Sequence, residues 1–192
     1  SGHACPLPDV ARLCRSIDAP VVLDEAYVDF ADDSGLALLG EHDNLIITRS
    51  FSKGWSLAGL RVGLGFTSPA IATELHKVRD SYNLDALAQA GAAAALEHRG
   101  AYAPLVDAVR AERGRLAQAL ERRGWRPEPS QANFLFAHAP AGVEAQGVYE
   151  GLKKAGVLVR HFPEPAELAG GLRISVGTPA ENDALLHALD RL

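Results

Sequence analysis

The chain has 192 residues, 47% of them hydrophobic and 22% charged, an ordinary balance for a soluble globular protein that can bury a real core as one generous domain or two small ones. A net charge of -5 with no Lys/Arg-rich run argues against nucleic acid or an anionic membrane as the main partner, while a small anionic ligand, which answers to local arginines, stays open. No stretch approaches about 18 uninterrupted apolar residues and no basic-then-apolar leader opens the chain, so neither a spanning helix nor a signal peptide is expected, and the expected compartment is the cytoplasm.

Cys5 and Cys14 suit a reduced compartment and are read as free thiols; on one helix they would lie roughly 13 Å apart, too far to bridge. Methionine is absent, position 1 included, and Ser1-Gly2 stands directly before an apparent helix. The expectation is a fragment of a longer protein.

In chain order, Pro6-Leu7-Pro8-Asp9 opens a helix whose apolar positions recur at helical spacing. Pro20-Val21-Val22-Leu23-Asp24 is a short β-branched run without alternation, as expected of a strand buried on both faces of a parallel sheet. Asn44 to Arg49 repeats that pattern, and Leu60 to Phe66 is a third candidate strand. Helical patterns follow at 68–80, 84–98 and 101–123, the last two parted by Arg99-Gly100; the Ala-rich run 86–95 is good helix composition. The rhythm then changes to strand 133–138, helix 143–155, strands 157–160 and 172–176, and helix 180–191. This predicts an α/β protein with two domains, 1–97 and 98–192, the first built on a mainly parallel sheet.

Ligands of open parallel sheets collect beyond the carboxyl ends of the strands. Asp24 ends the first predicted strand and Ser50-Phe51-Ser52-Lys53 follows the second, so neighbouring strands would turn both toward one crevice. A lysine amine titrates near 10.4 and is a poor nucleophile unless its surroundings favour the neutral form or an imine. Ser50, Ser52 and Arg61 offer two hydroxyls and a planar fork of donors for a phosphate, Asp24 an anion able to keep a pyridine nitrogen protonated, and Tyr27 a phenol three residues on. Taken alone, Val21 to Glu25 is equally what the acidic strand of a nucleotide hydrolase looks like, but no Gly-x-x-x-x-Gly-Lys-[Ser/Thr] loop accompanies it. Seven histidines show no ligand spacing, so no metal site is expected; Asp29, Asp32 and Asp33 read as a solvated loop.

Asp24-x-x-Tyr27, Ser50-x-Ser52-Lys53 and Ala58-Gly59-x-Arg61-x-Gly63 together resemble the signature of the fold-type I pyridoxal-phosphate aminotransferases, and the tail 157–183 is similar to that of the histidinol-phosphate group. The resemblance implies an aspartate-aminotransferase-like fold, here a partial large domain and a small C-terminal α/β domain, with pyridoxal 5'-phosphate as cofactor. By it, Lys53 forms the internal aldimine, Asp24 pairs with the pyridinium, Tyr27 binds the ring oxygen, and Ser50, Ser52 and Arg61 hold the phosphate. Arg173 matches the arginine that grips the substrate's acid group, Arg160 lies on a second arginine-bearing strand, and Asn133 borders the substrate.

The implied reaction is amino transfer between histidinol phosphate and 2-oxoglutarate/glutamate in histidine biosynthesis, in a homodimer with Tyr82 near the subunit interface. A decarboxylase acting on threonine phosphate, a general or aromatic aminotransferase of the same fold, and a non-catalytic fragment are the alternatives. The resemblance covers only about the C-terminal half of the family: the turn whose last residue matches Gly2, the glycine-containing phosphate turn, the aromatic that stacks on the ring and the N-terminal arm are not among these residues. Gly54 and Trp55 stand where the family more often has alanine and phenylalanine.

Overall fold

A computed structural model describes residues 2–192 and divides them into two compact units, residues 4–106 and residues 107–192 together with those up to His3. The division falls inside a helix, Ala103–Glu121, past the boundary between residues 97 and 98 that the sequence reading gave.

In the first unit, helix α1 (Leu7–Ser16) begins with Pro at its first turn and Asp9 near its N-terminus, where an anion suits the helix dipole. Strands β1 (Val21–Asp24), β2 (Leu45–Ser50) and β3 (Gly63–Thr67) form one sheet in that order, β1 parallel and β3 antiparallel to β2. The third strand thus starts later than Leu60, because residues 58–60 form a 3-10 turn, and it makes the sheet mixed. Val10, Cys14, Val21, Leu45 and Ile47 make the core on one face. The other face is open on this chain: Val22 is 62% exposed, so β1 is not buried on both sides as its unbroken apolar run predicted. The Asn44 amide donates to the carbonyls of Cys14, Ile17 and Ala19, tying the end of α1 to the start of β2.

Helix α2 (Pro69–Val78) buries no residue, whereas α3 (Ala86–Glu97), capped by Asp85, packs Ala88, Ala92 and Ala95 with Phe51 and Val62. Cys5 is exposed and Cys14 buried, both as free thiols.

Helix α4 (Ala103–Glu121) runs across the division. In the second unit, β4 (Arg126–Pro127), β5 (Phe134–His138), β6 (Arg160–His161) and β7 (Gly171–Ser175) form an antiparallel sheet of order β4-β5-β7-β6, with helices α5 (Ala145–Lys154), α6 (Ala166–Ala169) and α7 (Pro179–Leu189). The strand expected over 157–160 is reduced to a two-residue bridge at its end, and β4 lies where no strand was predicted. Leu116, Leu120, Leu135, Leu152 and Leu172 are fully or almost fully buried, each worth about 1.5–3 kcal/mol of burial. Thr178 and Glu181 form a reciprocal capping box at the start of α7. Among the described residues no helix is long and apolar enough to cross a membrane.

Candidate functional site

The loop that leaves β2 is held at both sides of Lys53. Phe51, 2% exposed, anchors it in the core with its N–H bonded to Val62 O at 3.1 Å, and Trp55 packs between Phe51 and Tyr102 at ring-centroid distances of 5.4 and 5.3 Å. Lys53 between them is half-buried, and its Nζ lies 5.3 Å from the centroid of the Tyr27 ring. A cation over a phenol ring gains about 0.5–1 kcal/mol at such a site. Two non-glycine residues of the segment take left-handed backbone angles, Ser56 with φ 56° and Arg61 with φ 55°. That region is uncommon for residues with a Cβ, and strain of this kind gathers where side chains must be aimed.

Asp24 closes β1 directly opposite Thr48 of β2. Its Oδ1 accepts from the Ala26 N–H at 3.0 Å and the Thr48 hydroxyl at 3.3 Å, which fixes the carboxylate plane. Among the described residues nothing donates to Oδ2, so one oxygen is left for an N–H from a ligand. Asp24 is exposed on this chain, not buried. Glu25, the next residue, is 8% exposed and belongs to the fold: its Oε2 is 2.9 Å from Arg49 Nε and accepts from the Ser34 hydroxyl, and its Oε1 accepts from the Gly35 N–H. Breaking a buried pair of this kind costs about 3–5 kcal/mol. The pair clamps the exit of β1 to the end of β2.

Ser50, Ser52 and Arg61 are brought together. The Ser52 N–H donates to Ser50 Oγ at 3.0 Å, and Arg61 Nη1 donates to Ala58 O at 2.9 Å and to Ser52 Oγ at 3.4 Å. One guanidinium nitrogen is spent on the loop, and among the described residues the others donate to nothing. Two hydroxyls, a backbone turn and a free guanidinium edge form a donor set suited to a phosphate.

In the second unit, Arg160 and Arg173 stand directly opposite each other across the β6–β7 ladder. Arg173 lies 5.3 Å from the Phe134 ring centroid and 5.7 Å from that of Phe162, and Arg160 lies 5.4 Å from the same Phe162 ring. Like charges set opposite one another in a sheet are destabilising. Among the described residues no carboxylate pairs with either, so two cations and the aromatic ring of Phe162 are gathered on one strand pair, a set of groups chemically suited to an anion. Asn133 precedes β5, its carbonyl accepting from the Val176 N–H at 2.9 Å. Tyr82, between α2 and α3, is 98% exposed.

Thr48 and Asp29 were missed by the sequence reading. Thr48 had a signal, since a polar residue in register with Asp24 on a neighbouring strand can only meet it. Asp29 was read as solvated but is half-buried: burial pushes its carboxyl up, against the opposing pull of the Arg49 charge and of the Trp55 and Gly54 N–H donors.

The profile of the family described as Aminotransferase class I and II matches residues 1–189. The chain belongs to that family. Its fold is that of the fold-type I pyridoxal-phosphate-dependent transferases, as solved members show: histidinol-phosphate aminotransferase from Sinorhizobium meliloti, in complex with pyridoxal-5'-phosphate, superposes with a TM-score of 0.88 at 28% identity, over 99% of this chain and 53% of that one. L-threonine-O-3-phosphate decarboxylase from Porphyromonas gingivalis, 23% identical, shares the fold with a TM-score of 0.86 over 100% of this chain and 60% of its own.

In sequence, the chain is 44% identical over 189 residues to histidinol-phosphate aminotransferase 1 of a Nostoc species, covering 98% of this chain and 53% of that protein. Histidinol-phosphate aminotransferase of Geobacter sulfurreducens is 42% identical over 191 residues, covering 100% of this chain and 54% of that protein. The chain spans about half the length of the curated aminotransferases it matches.

Proposed function

We propose that the chain is the lysine-bearing part of a pyridoxal-phosphate-dependent aminotransferase that moves an amino group between histidinol phosphate and 2-oxoglutarate. Turnover is proposed for the protein complete with the segments that the family resemblance puts outside these 192 residues. The reading is supported by the placing, in one unit and just past the carboxyl ends of two neighbouring parallel strands, of a carboxylate with one free oxygen, a half-buried amine, and an arginine-serine donor set. Each of the three fits a different part of pyridoxal phosphate: pyridinium nitrogen, aldehyde and phosphate. When bound, that cofactor supplies a ring that withdraws electrons from the carbon attached to the amino group.

In this reading the chain's own residues divide the work. Asp24 Oδ2 would accept the ring N–H and hold it in place. Tyr27 donates to the ring oxygen, and its ring face steadies the Lys53 amine. Ser50, Ser52 and Arg61 take the phosphate through charge-assisted hydrogen bonds of about 1.5–3 kcal/mol. Lys53 Nζ would take the proton from the substrate α-carbon. Arg160 and Arg173 take the acid group of the substrate, a guanidinium fork fitting carboxylate and phosphate alike, and Asn133 borders it.

Relatives at 42–46% identity that carry the histidinol-phosphate name support this donor, whereas the decarboxylase, at 23%, supports the fold alone. A homodimer with Tyr82 at the interface is part of the same reading, since a phenol 98% exposed is available to a second subunit.

The test adds pyridoxal phosphate to the chain and to the complete protein. A visible absorption band lost on Lys53→Ala supports the assignment, as does release of keto product from histidinol phosphate. Retained turnover in Lys53→Ala, or carbon dioxide in place of the keto product, ends it.

A further inference from the structure

One short 3-10 turn, Val28–Phe30, reaches the Lys53 loop at two points. It is built off β1 by successive backbone bonds, Val28 N–H to Glu25 O at 3.1 Å, Phe30 N–H to Tyr27 O at 3.0 Å and Ala31 N–H to Val28 O at 2.9 Å. Tyr27 at its head lies under the Lys53 amine, and Asp29 within it packs against Gly54, the residue directly after the lysine. The packing is close: a Cβ added to Gly54 would stand 2.5 Å from Asp29 Oδ2, 2.6 Å from its Cβ and 2.7 Å from its Cγ. Real Cβ atoms do not approach that near, so the Asp29 side chain occupies the space of the missing methyl. Trp55 completes the far side, its own ring held by Phe51 and Tyr102.

We propose that Asp29 is a positioning residue for Lys53: by filling the space beside Gly54 it holds the lysine loop against the turn that carries Tyr27, so that the amine stays over the phenol ring. A carboxylate there meets the Gly54 and Trp55 N–H groups, and its own burial is the cost of that contact. The clamp explains both why position 54 has no side chain and why an acid of an apparently solvated loop is half-buried. It rests on the reading of Lys53 given above only for what the lysine then does. The placing of the amine is a separate matter and is tested separately.

The test is site-resolved amine labelling of the chain without cofactor, followed by mass spectrometry, with exposed Lys154 in the other unit and exposed Lys77 in the same unit as references. Loss of one packed contact opens a loop about fivefold more often. Asp29→Ala and Gly54→Ala are therefore each expected to label Lys53 about fivefold faster, with Lys77 and Lys154 unchanged. Asp29→Asn, of the same shape, labels like the unsubstituted chain.

The proposal falls if Asp29→Ala or Gly54→Ala leaves the Lys53 rate unchanged, if Asp29→Asn behaves as Asp29→Ala, or if Lys77 accelerates along with Lys53. Should the labelling pattern hold while pyridoxal phosphate gives no Lys53-dependent absorption band, the cofactor reading fails and the clamp stands.

Discussion

Lys53 and Tyr27 come from different strand ends yet stack, amine over ring, at 5.3 Å. β1 and β2 are parallel neighbours in register, Asp24 opposite Thr48, so the residues just past each strand end emerge side by side. Tyr27→Phe keeps the ring under the amine and removes only the hydroxyl. One hydrogen bond contributes about 0.5–1.5 kcal/mol, so the variant should bind pyridoxal phosphate about 2- to 10-fold more weakly, measured by equilibrium titration, with the Lys53 labelling rate unchanged.

Arg61 distinguishes a phosphate site from a ring site. Its guanidinium is anchored by Nη1 to Ala58 O and Ser52 Oγ, with the rest of the fork available. Arg61→Ala should weaken pyridoxal phosphate binding by about 10-fold or more while leaving binding of pyridoxal, which lacks the phosphate, unaltered. Equal losses for both ligands would mean that the substitution acts through the loop.

The opposed pair Arg160 and Arg173 predicts a trade between stability and function. Directly facing like charges across β6–β7 cost a few tenths to about 1 kcal/mol, so Arg160→Gln should raise the unfolding midpoint of the second unit slightly. The same change in the complete enzyme should raise KM for the acidic substrate with less effect on kcat. A lower midpoint would show that Phe162 and Arg160 hold the strand pair together.

Asp29 in the first unit and Glu112 and Asp190 in the second should contribute to the pH dependence of stability in opposite senses. Glu112 is held below the usual carboxylate range by its bonds to Arg115 and to the Asn182 amide, and Asp190 by Arg123; a lowered carboxyl stabilises above its unfolded pKa and loses that effect as pH falls through its folded pKa. Asp29 is raised, chiefly by burial, so the folded state holds its proton more tightly and the group costs stability as pH rises from its unfolded pKa through its higher folded pKa. Chemical unfolding as a function of pH should show Glu112→Gln flattening the acid limb of the second unit. In the first unit, Asp29→Asn should gain on the unsubstituted chain as pH rises.

Much of this was readable from residues because strand ends and chemistry coincide. Asp24 and Ser50 do end neighbouring parallel strands, and the apolar runs before them are the reason both strands form. Hydropathy does not carry strand direction or the covering of a face. β3 runs antiparallel, and Val22 of the apolar run is open on this chain, while α1 and the 3-10 turn Gly35–Leu38 pack on Val21, Leu45 and Ile47. Asp29 sat in an acidic stretch whose composition speaks of solvent. Its burial is set by a glycine far along the chain, and only coordinates bring the two together.

The account turns on one amine. Treating the complete protein with pyridoxal phosphate, reducing with borohydride and mapping the modified peptide should locate the pyridoxyl group on Lys53, with Lys77, Lys153 and Lys154 unmodified at stoichiometric cofactor and the label prevented by Lys53→Ala. A pyridoxyl group spread over the exposed lysines, or retained in Lys53→Ala at the same yield, would contradict it.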